Sequence, residues 1–359
     1  MPDWSPLPDA PLFPPEGYAP LADAIAGLLG TKNDVLLVQG EAVVALEAAA
    51  SSLGRPGLRA LNIVTSLYGR WFGGWLRRAG AEVVDLTAPP GLPIGLEAVE
   101  AALAQGKFDL VAVVHAESAT GILNPLAGIL ALAQATGALT VVDVVASLGG
   151  HAVEVDDLGI DIAVMGPQKS LGGQAGVSAL SVSPRAWAAV HPGGEAPSIL
   201  SLADQKTLWL DQGRHALPGT PSALEFHALA AALDRVRAEG LSAIERRHAR
   251  AANAARAGVL ALVGRNWVAE DQASNLVTPL PVPDSMSADD LLAELPEGHA
   301  LSAGVGPAGD RLLRLNHTGP RAALEPVLSD LNAIAHGLHR LGVPADPGQA
   351  LGAAAEAFG

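Results

Sequence analysis

The sequence predicts an α/β fold: a large domain on a mostly parallel sheet flanked by helices, then a smaller C-terminal α/β domain. Three observations lead there. Seven short, β-rich apolar runs recur between Val35 and Val182. Ala- and Leu-rich stretches of helical length separate several of them. After about Leu217 the pattern changes to long helices with scattered strand signals. Apolar runs without polar alternation are strands buried on both faces, and helices between such strands make the sheet largely parallel.

Residues 1–33 read as an N-terminal segment with a Pro-rich start. Residues 34–239 form the large domain. Its strands are VLLVQ (Val35–Gln39), ALNIV (Ala60–Val64), EVVDL (Glu82–Leu86), LVAVVH (Leu110–His115), LTVVDV (Leu139–Val144), IDIAVMG (Ile160–Gly166) and VSALSV (Val177–Val182). Helices are expected at Glu41–Leu53, Arg70–Ala79, Leu96–Gln105 and Leu126–Thr136, where apolar residues recur at helical spacing. A linking helix is expected over Ala223–Arg237. Residues 240–359 form the small domain, with a long helix first and a strand in RLLRLNHTG (Arg311–Gly319).

Composition narrows the function. Of 359 residues 49% are apolar and 16% charged, enough for a substantial core and too few charges for long disorder. A net charge of −15 argues against a nucleic-acid partner. The start of the chain has no basic-then-apolar leader pattern, and no apolar run is long enough to span a bilayer, so no membrane partner and a cytoplasmic location are expected. The absence of cysteine removes disulfides, thiolate metal sites and cysteine nucleophiles, including that of a desulfurase. The ten histidines suggest no metal set; His336 and His339 share a helix face that reads as solvated.

Chemistry concentrates in Val141–Gly176. The chain has four lysines, and only Lys169, in GPQKSLGGQAG, lies among apolar and small residues. Burial disfavours an ammonium and frees the amine as a nucleophile. Asp143 ends a central apolar strand, where ligands of such sheets collect. Schiff-base chemistry on a pyridoxal ring needs such an amine and a carboxylate that keeps the ring nitrogen protonated. Gln39-Gly40-Glu41-Ala42 joins a strand to a helix N-terminus, a natural anion cup. Glu41 has two readings there: an acid favoured by the helix dipole, or a carboxylate that bars phosphate from the cup. Tyr68 follows a strand in a turn and offers a ring for stacking. Ser118 and Thr120 end another strand, either contacting a ring hydroxyl or closing a simple turn. Arg314 lies in an apolar strand and needs an anion, either a substrate carboxylate or a structural acid.

The motifs QGEAVVALEAA, YGRWFGGW, HAESATGILNPL, VVDVVASLGG, GPQKSLGGQAG, GTPSALE and LRLNHTG together resemble the class V, fold-type I aminotransferases. The resemblance implies that Lys169 forms the Schiff base and Asp143 pairs with the ring nitrogen. It also implies that Tyr68 stacks on the ring, Val145 packs beneath it, Ser118 sits by the ring hydroxyl and Gln168 lies near the cup. Arg314 would hold the substrate carboxylate. Thr220 would reach the cup of a neighbouring subunit, so a homodimer or higher homo-oligomer with a shared site is implied. Most members carry S-G-[ST] in the cup. Gln39-Gly40-Glu41 instead resembles the pyridoxamine–pyruvate aminotransferase subgroup, in which free pyridoxamine is a substrate. Val305 stands where that subgroup has an arginine, which leaves one fewer cation for the keto acid.

The expected function is therefore transfer of an amino group between pyridoxamine and an α-keto acid such as pyruvate, with pyridoxal or pyridoxamine as bound substrate and no metal. Two alternatives are an alanine/serine–glyoxylate type aminotransferase using pyridoxal 5'-phosphate, and a catalytically inactive B6-fold binding protein.

Overall fold

Each of the seven apolar runs forms a strand, because a sheet covered on both faces rewards continuous Val, Leu, Ile and Ala. The computed structural model describes residues 11–306 and 309–359. The strands are β1 (Asp34–Gln39), β2 (Arg59–Val64), β3 (Glu82–Thr87), β4 (Leu110–Val114), β5 (Leu139–Asp143), β6 (Ile162–Met165) and β7 (Val177–Val182). They lie in the order β1-β7-β6-β5-β4-β2-β3. Strand β7 runs antiparallel to β1 and β6, and the other pairs are parallel. Every residue of β4, β6 and β7 is buried.

Helices α1 (Tyr18–Leu28), α2 (Ala42–Leu53), α3 (Leu67–Arg78), α4 (Leu96–Leu103) and α5 (Leu126–Thr136) alternate with the first strands. Two glycines shape the turns that carry the site. Gly40 has φ +144°, and a Cβ there would lie 2.9 Å from a Val44 methyl, so β1 passes into α2 through a turn that only glycine fits. At Gly69 a Cβ would lie 2.7 Å from the Ile63 carbonyl oxygen, which lets α3 press against β2. Helix α3 also begins earlier than its apolar spacing suggests. Ser66 caps it, its hydroxyl accepting the Tyr68 N–H at 3.3 Å, so Tyr68 sits in the first helical turn and not in a loop.

The helix Ala223–Glu239 leads to the helix Leu241–Val263, which packs on a second sheet. That sheet holds β8 (Val277–Pro281), β9 (Leu301–Ala303) and β10 (Leu312–Asn316) in the antiparallel order β8-β10-β9. A second core fills between these elements and the two C-terminal helices, with Val259, Leu280, Leu315, Leu331 and Ala354 buried at its centre. The two sheets are tied by a bridge between Ile122 and Ala273 and by the Ser274 N–H donating to the Gly121 carbonyl at 2.7 Å. Among the described residues no helix is long and apolar enough to cross a membrane.

Candidate active site

Parallel register brings the carboxyl ends of the central strands level, with Val114 opposite Asp143 and Asp143 opposite Val164. The cavity at this edge is lined by Glu41, Ala42, Tyr68, Ser118, Asp143, Val145 and Lys169, together with Val43, Leu46, Val114, Ala116 and Ala146. Gly40 forms the turn just outside it. Gln168 joins through its side chain, donating from Nε2 to Glu41 Oε1 at 2.6 Å. Arg314 reaches in from β10, with Nη1 donating to the Ser118 carbonyl and Nε to the Ala303 carbonyl, both at 3.0 Å. Thr220 stands apart: it is exposed on the wall of a separate cleft near Gln39 and does not line this cavity.

The electrostatics suit acid–base work. Burial pushes the Asp143 carboxyl up to about 7, against the Val145 N–H that donates to Oδ1 at 2.9 Å; the Glu41 charge adds to the rise and Lys169 opposes it. Burial also lowers the Lys169 ammonium below the usual lysine range, opposed by Glu41 and Asp143 and aided by Arg314. The Tyr68 phenol is raised by burial, partly offset by its hydrogen bond with Ser118. Arg314 makes no ion pair with an acid among the described residues; both of its hydrogen bonds go to carbonyls. Its positive charge therefore lacks the structural counter-ion that would otherwise explain it.

Glu41 is the N-cap of α2. Its Oε2 accepts the Val43 N–H at 2.9 Å, so the helix N-terminus is already filled by the protein's own carboxylate. The first reading of this residue is thus observed, and the same carboxylate lies at the cup on which the second reading turns.

The sequence reading passed over Glu117, which is fully buried and bonded by the hydroxyls of Thr65 and Ser66. The available signal was an acid placed between small residues directly after a buried strand. Thr120, named with Ser118 from the sequence, keeps its hydroxyl buried with no partner among the described residues. Its neighbour Gly121 donates its N–H to the Glu117 carbonyl at 2.8 Å, which closes a turn.

A flat nitrogen heterocycle fits these residues. Among the described residues Asp143 accepts one side-chain hydrogen bond and makes no ion pair, and a protonated ring nitrogen would supply the cationic partner. Tyr68 and Val145 bound the same cavity, and the Lys169 amine opens into it. A lysine and an acid converging at the carboxyl edge of such a sheet is the architecture of the fold-type I vitamin B6 enzymes. Among the described residues no group of acids and histidines is placed to hold a metal.

The comparisons with known proteins agree. The aminotransferase class-V family profile matches residues 17–312, and the chain belongs to that family and is an aminotransferase. It is 34% identical over 331 residues to a pyridoxamine–pyruvate transaminase of Mesorhizobium japonicum, covering 90% of this chain and 84% of that protein. It is 32% identical to an alanine–glyoxylate aminotransferase of Callithrix jacchus, covering 86% of this chain and 76% of that one. The crystal structure of pyridoxamine–pyruvate aminotransferase from Mesorhizobium loti superposes with a TM-score of 0.89 at 32% identity, covering 96% of this chain and 89% of that one. That of a ureidoglycine–glyoxylate aminotransferase from Bacillus subtilis gives 0.85 at 25% identity, covering 97% and 92%.

Proposed function

We propose that this aminotransferase moves an amino group from free pyridoxamine to an α-keto acid such as pyruvate, with the B6 compound as substrate. The observation that carries the reading is the Glu41 carboxylate held in the cup by Val43 and Gln168. A hydroxymethyl group can donate a hydrogen bond to that carboxylate, whereas a phosphate would meet like charge. Likeness to the two pyridoxamine–pyruvate enzymes supports the same reading.

When bound, the protonated pyridine ring supplies an electron sink for the carbon that loses its proton. Asp143 accepts the ring N–H and keeps it protonated. Tyr68 and Val145, which line the same cavity, would hold the ring between them, and Ser118 would meet the ring hydroxyl. Lys169 Nζ, whose ammonium is destabilised by burial, carries a proton between the C4′ carbon and the carbon of the incoming keto acid. Arg314 orients the keto-acid carboxylate with the donors its carbonyl contacts leave free. Two features rest on the family likeness and on the exposure of Thr220: a homodimeric or higher oligomeric active unit, and a contribution of Thr220 to a neighbouring cup. A cytoplasmic location completes the proposal.

Dialysed protein supplied with pyridoxamine and pyruvate, and no phosphorylated vitamer, is expected to form pyridoxal and alanine in equal amounts, followed by pyridoxal absorbance. A phosphorylated vitamer that survives dialysis, with no turnover of free pyridoxamine, would sink the proposal in favour of an alanine– or serine–glyoxylate enzyme. Full activity in the Lys169→Ala variant would overturn the assigned chemistry altogether.

A further inference from the structure

Glu117 is 0% exposed, yet nothing in the transfer chemistry above uses it. Thr65 Oγ1 lies 2.6 Å from its Oε1, and Ser66 Oγ bonds its Oε2. Each hydroxyl oxygen also accepts a hydrogen bond from a second group. The Thr65 oxygen accepts from Asn124 Nδ2 at 2.8 Å, and the Asn124 amide donates also to the Val114 carbonyl at 2.8 Å. The Ser66 oxygen accepts the Tyr68 N–H as the cap of α3. Each hydroxyl has one hydrogen, and in both cases it points at Glu117. A protonated Glu117 could donate to the remaining lone pair of either hydroxyl, but the hydrogen of that hydroxyl would then lack a partner among the described residues. The hydrogen-bond pattern thus favours the carboxylate, against the burial that disfavours it.

That carboxylate sits between two parts of the site. Through Ser66 it anchors the first turn of α3, where Tyr68 projects into the cavity. It also lies near Asp143: His115, two residues before it, donates its backbone N–H to the Asp143 carbonyl at 3.0 Å. Burial raises the Glu117 carboxyl to about 7, the two hydroxyls oppose this, and the Asp143 charge adds to the rise. Its chain neighbour Ser118 carries the carbonyl that Arg314 grips.

We propose that Glu117 is a positioning residue of this site: a buried anion behind Asp143 that strengthens the hold on a protonated ring nitrogen and fixes Tyr68 through the Ser66 cap. The inference rests on the B6 reading of the cavity. It predicts two negative charges acting on the ring nitrogen, of which only Asp143 touches it.

The test uses pyridoxine, which has the ring and hydroxymethyl group but no transferable amine. The pH at which the bound ring nitrogen loses its proton is read from near-ultraviolet absorbance, and affinity is read by calorimetry. Glu117→Gln, which keeps shape and removes charge, is expected to lower that pH by on the order of one unit. Affinity at pH 8 should fall about 10-fold with it. Glu117→Asp is expected to restore most of the shift, which a purely structural role would not produce. Thr65→Val, which removes one donor from the carboxylate, should move the same pH by a smaller amount in the same direction; it decides the matter if Glu117→Gln does not fold. An unchanged ring titration in Glu117→Gln, or in Thr65→Val where that variant decides, overturns the inference while leaving the B6 reading intact. Failure of the wild-type protein to bind pyridoxine overturns that reading and the inference with it.

Discussion

Replacing Glu41 with serine separates its two duties. Serine is also a strong N-cap, so the Val43 N–H keeps an acceptor and α2 should lose less than about 1 kcal/mol. The carboxylate and its bond to Gln168 are removed. Two unit charges about 4 Å apart interact by about 4 kcal/mol at an effective dielectric of 20. Glu41 is half-buried, and solvent screening that halves this leaves about 2 kcal/mol, or roughly 30-fold in an equilibrium constant. Glu41→Ser should therefore raise affinity for pyridoxal 5'-phosphate relative to pyridoxal by at least about 30-fold. The assay is an absorbance titration of both vitamers against wild type and variant, with thermal melts to show that the helix survives. A ratio that does not move, or a wild-type protein that already prefers the phosphorylated vitamer, refutes the reasoning.

Asp143→Asn should cut turnover by at least about 10²-fold, since an amide cannot hold the ring proton as a carboxylate does. The same change should stabilise the empty protein. A carboxyl raised from its ordinary value to about 7 in the fold costs stability progressively as pH rises through that interval, so the variant's melting temperature should exceed wild type at pH 8 and match it near pH 4. Arg314→Met should raise the KM for the keto acid by about 10- to 100-fold, the worth of hydrogen bonds to a charged group, and leave that for pyridoxamine nearly unchanged. The protein should also lose stability in acid. Burial holds His115 and His317 down to about 3, and His151 and His248 down to about 4, so all four are neutral in the fold. Unfolded, they take protons below pH 6.5, and the stability their neutral burial permits is lost as pH falls from there toward 4. Asp143 and Glu117 act in the opposite sense over the same interval. Four against two leaves a net loss on the order of 2–3 kcal/mol per pH unit from these groups. Urea midpoints that stay level between pH 6.5 and 5 would show that the histidines are not buried neutral.

The sheet was legible because strands covered on both faces leave a plain trace: runs such as LVAVV and VSALSV carry no polar alternation, and each became a fully buried strand. Lys169 and Asp143 stand out in the sequence for the related reason that charge is rare next to such runs, and the fold brings both to one cavity. What local pattern could not reveal depends on contacts across the chain. The antiparallel course of β7 follows from pairing with β1, more than 130 residues earlier. Strands β8 and β9 are short, with prolines in one, so no alternation marks them. The start of α3 was hidden because a serine cap leaves no apolar period. Glu117 was hidden because its partners, Thr65 and Ser66, come from another strand end.

The empty site is electrostatically unsatisfied in a directed way. Asp143 is an acid held toward its neutral form, Lys169 an amine held toward its neutral form, and Arg314 a cation with only carbonyls to bond. Each of these costs stability, and each is relieved by one feature of the proposed reactants: the ring N–H, the carbonyl or amine at C4′, and the keto-acid carboxylate. Glu41 is the exception, since Val43 and Gln168 already satisfy it. A carboxylate that needs no ligand gains little from one and repels an anion, so on the proposed reading the cup would set which vitamer enters while the other three residues would supply the binding. On that reading discrimination and catalysis reside in different side chains, so Glu41→Ser should change vitamer preference far more than the rate with the vitamer it accepts.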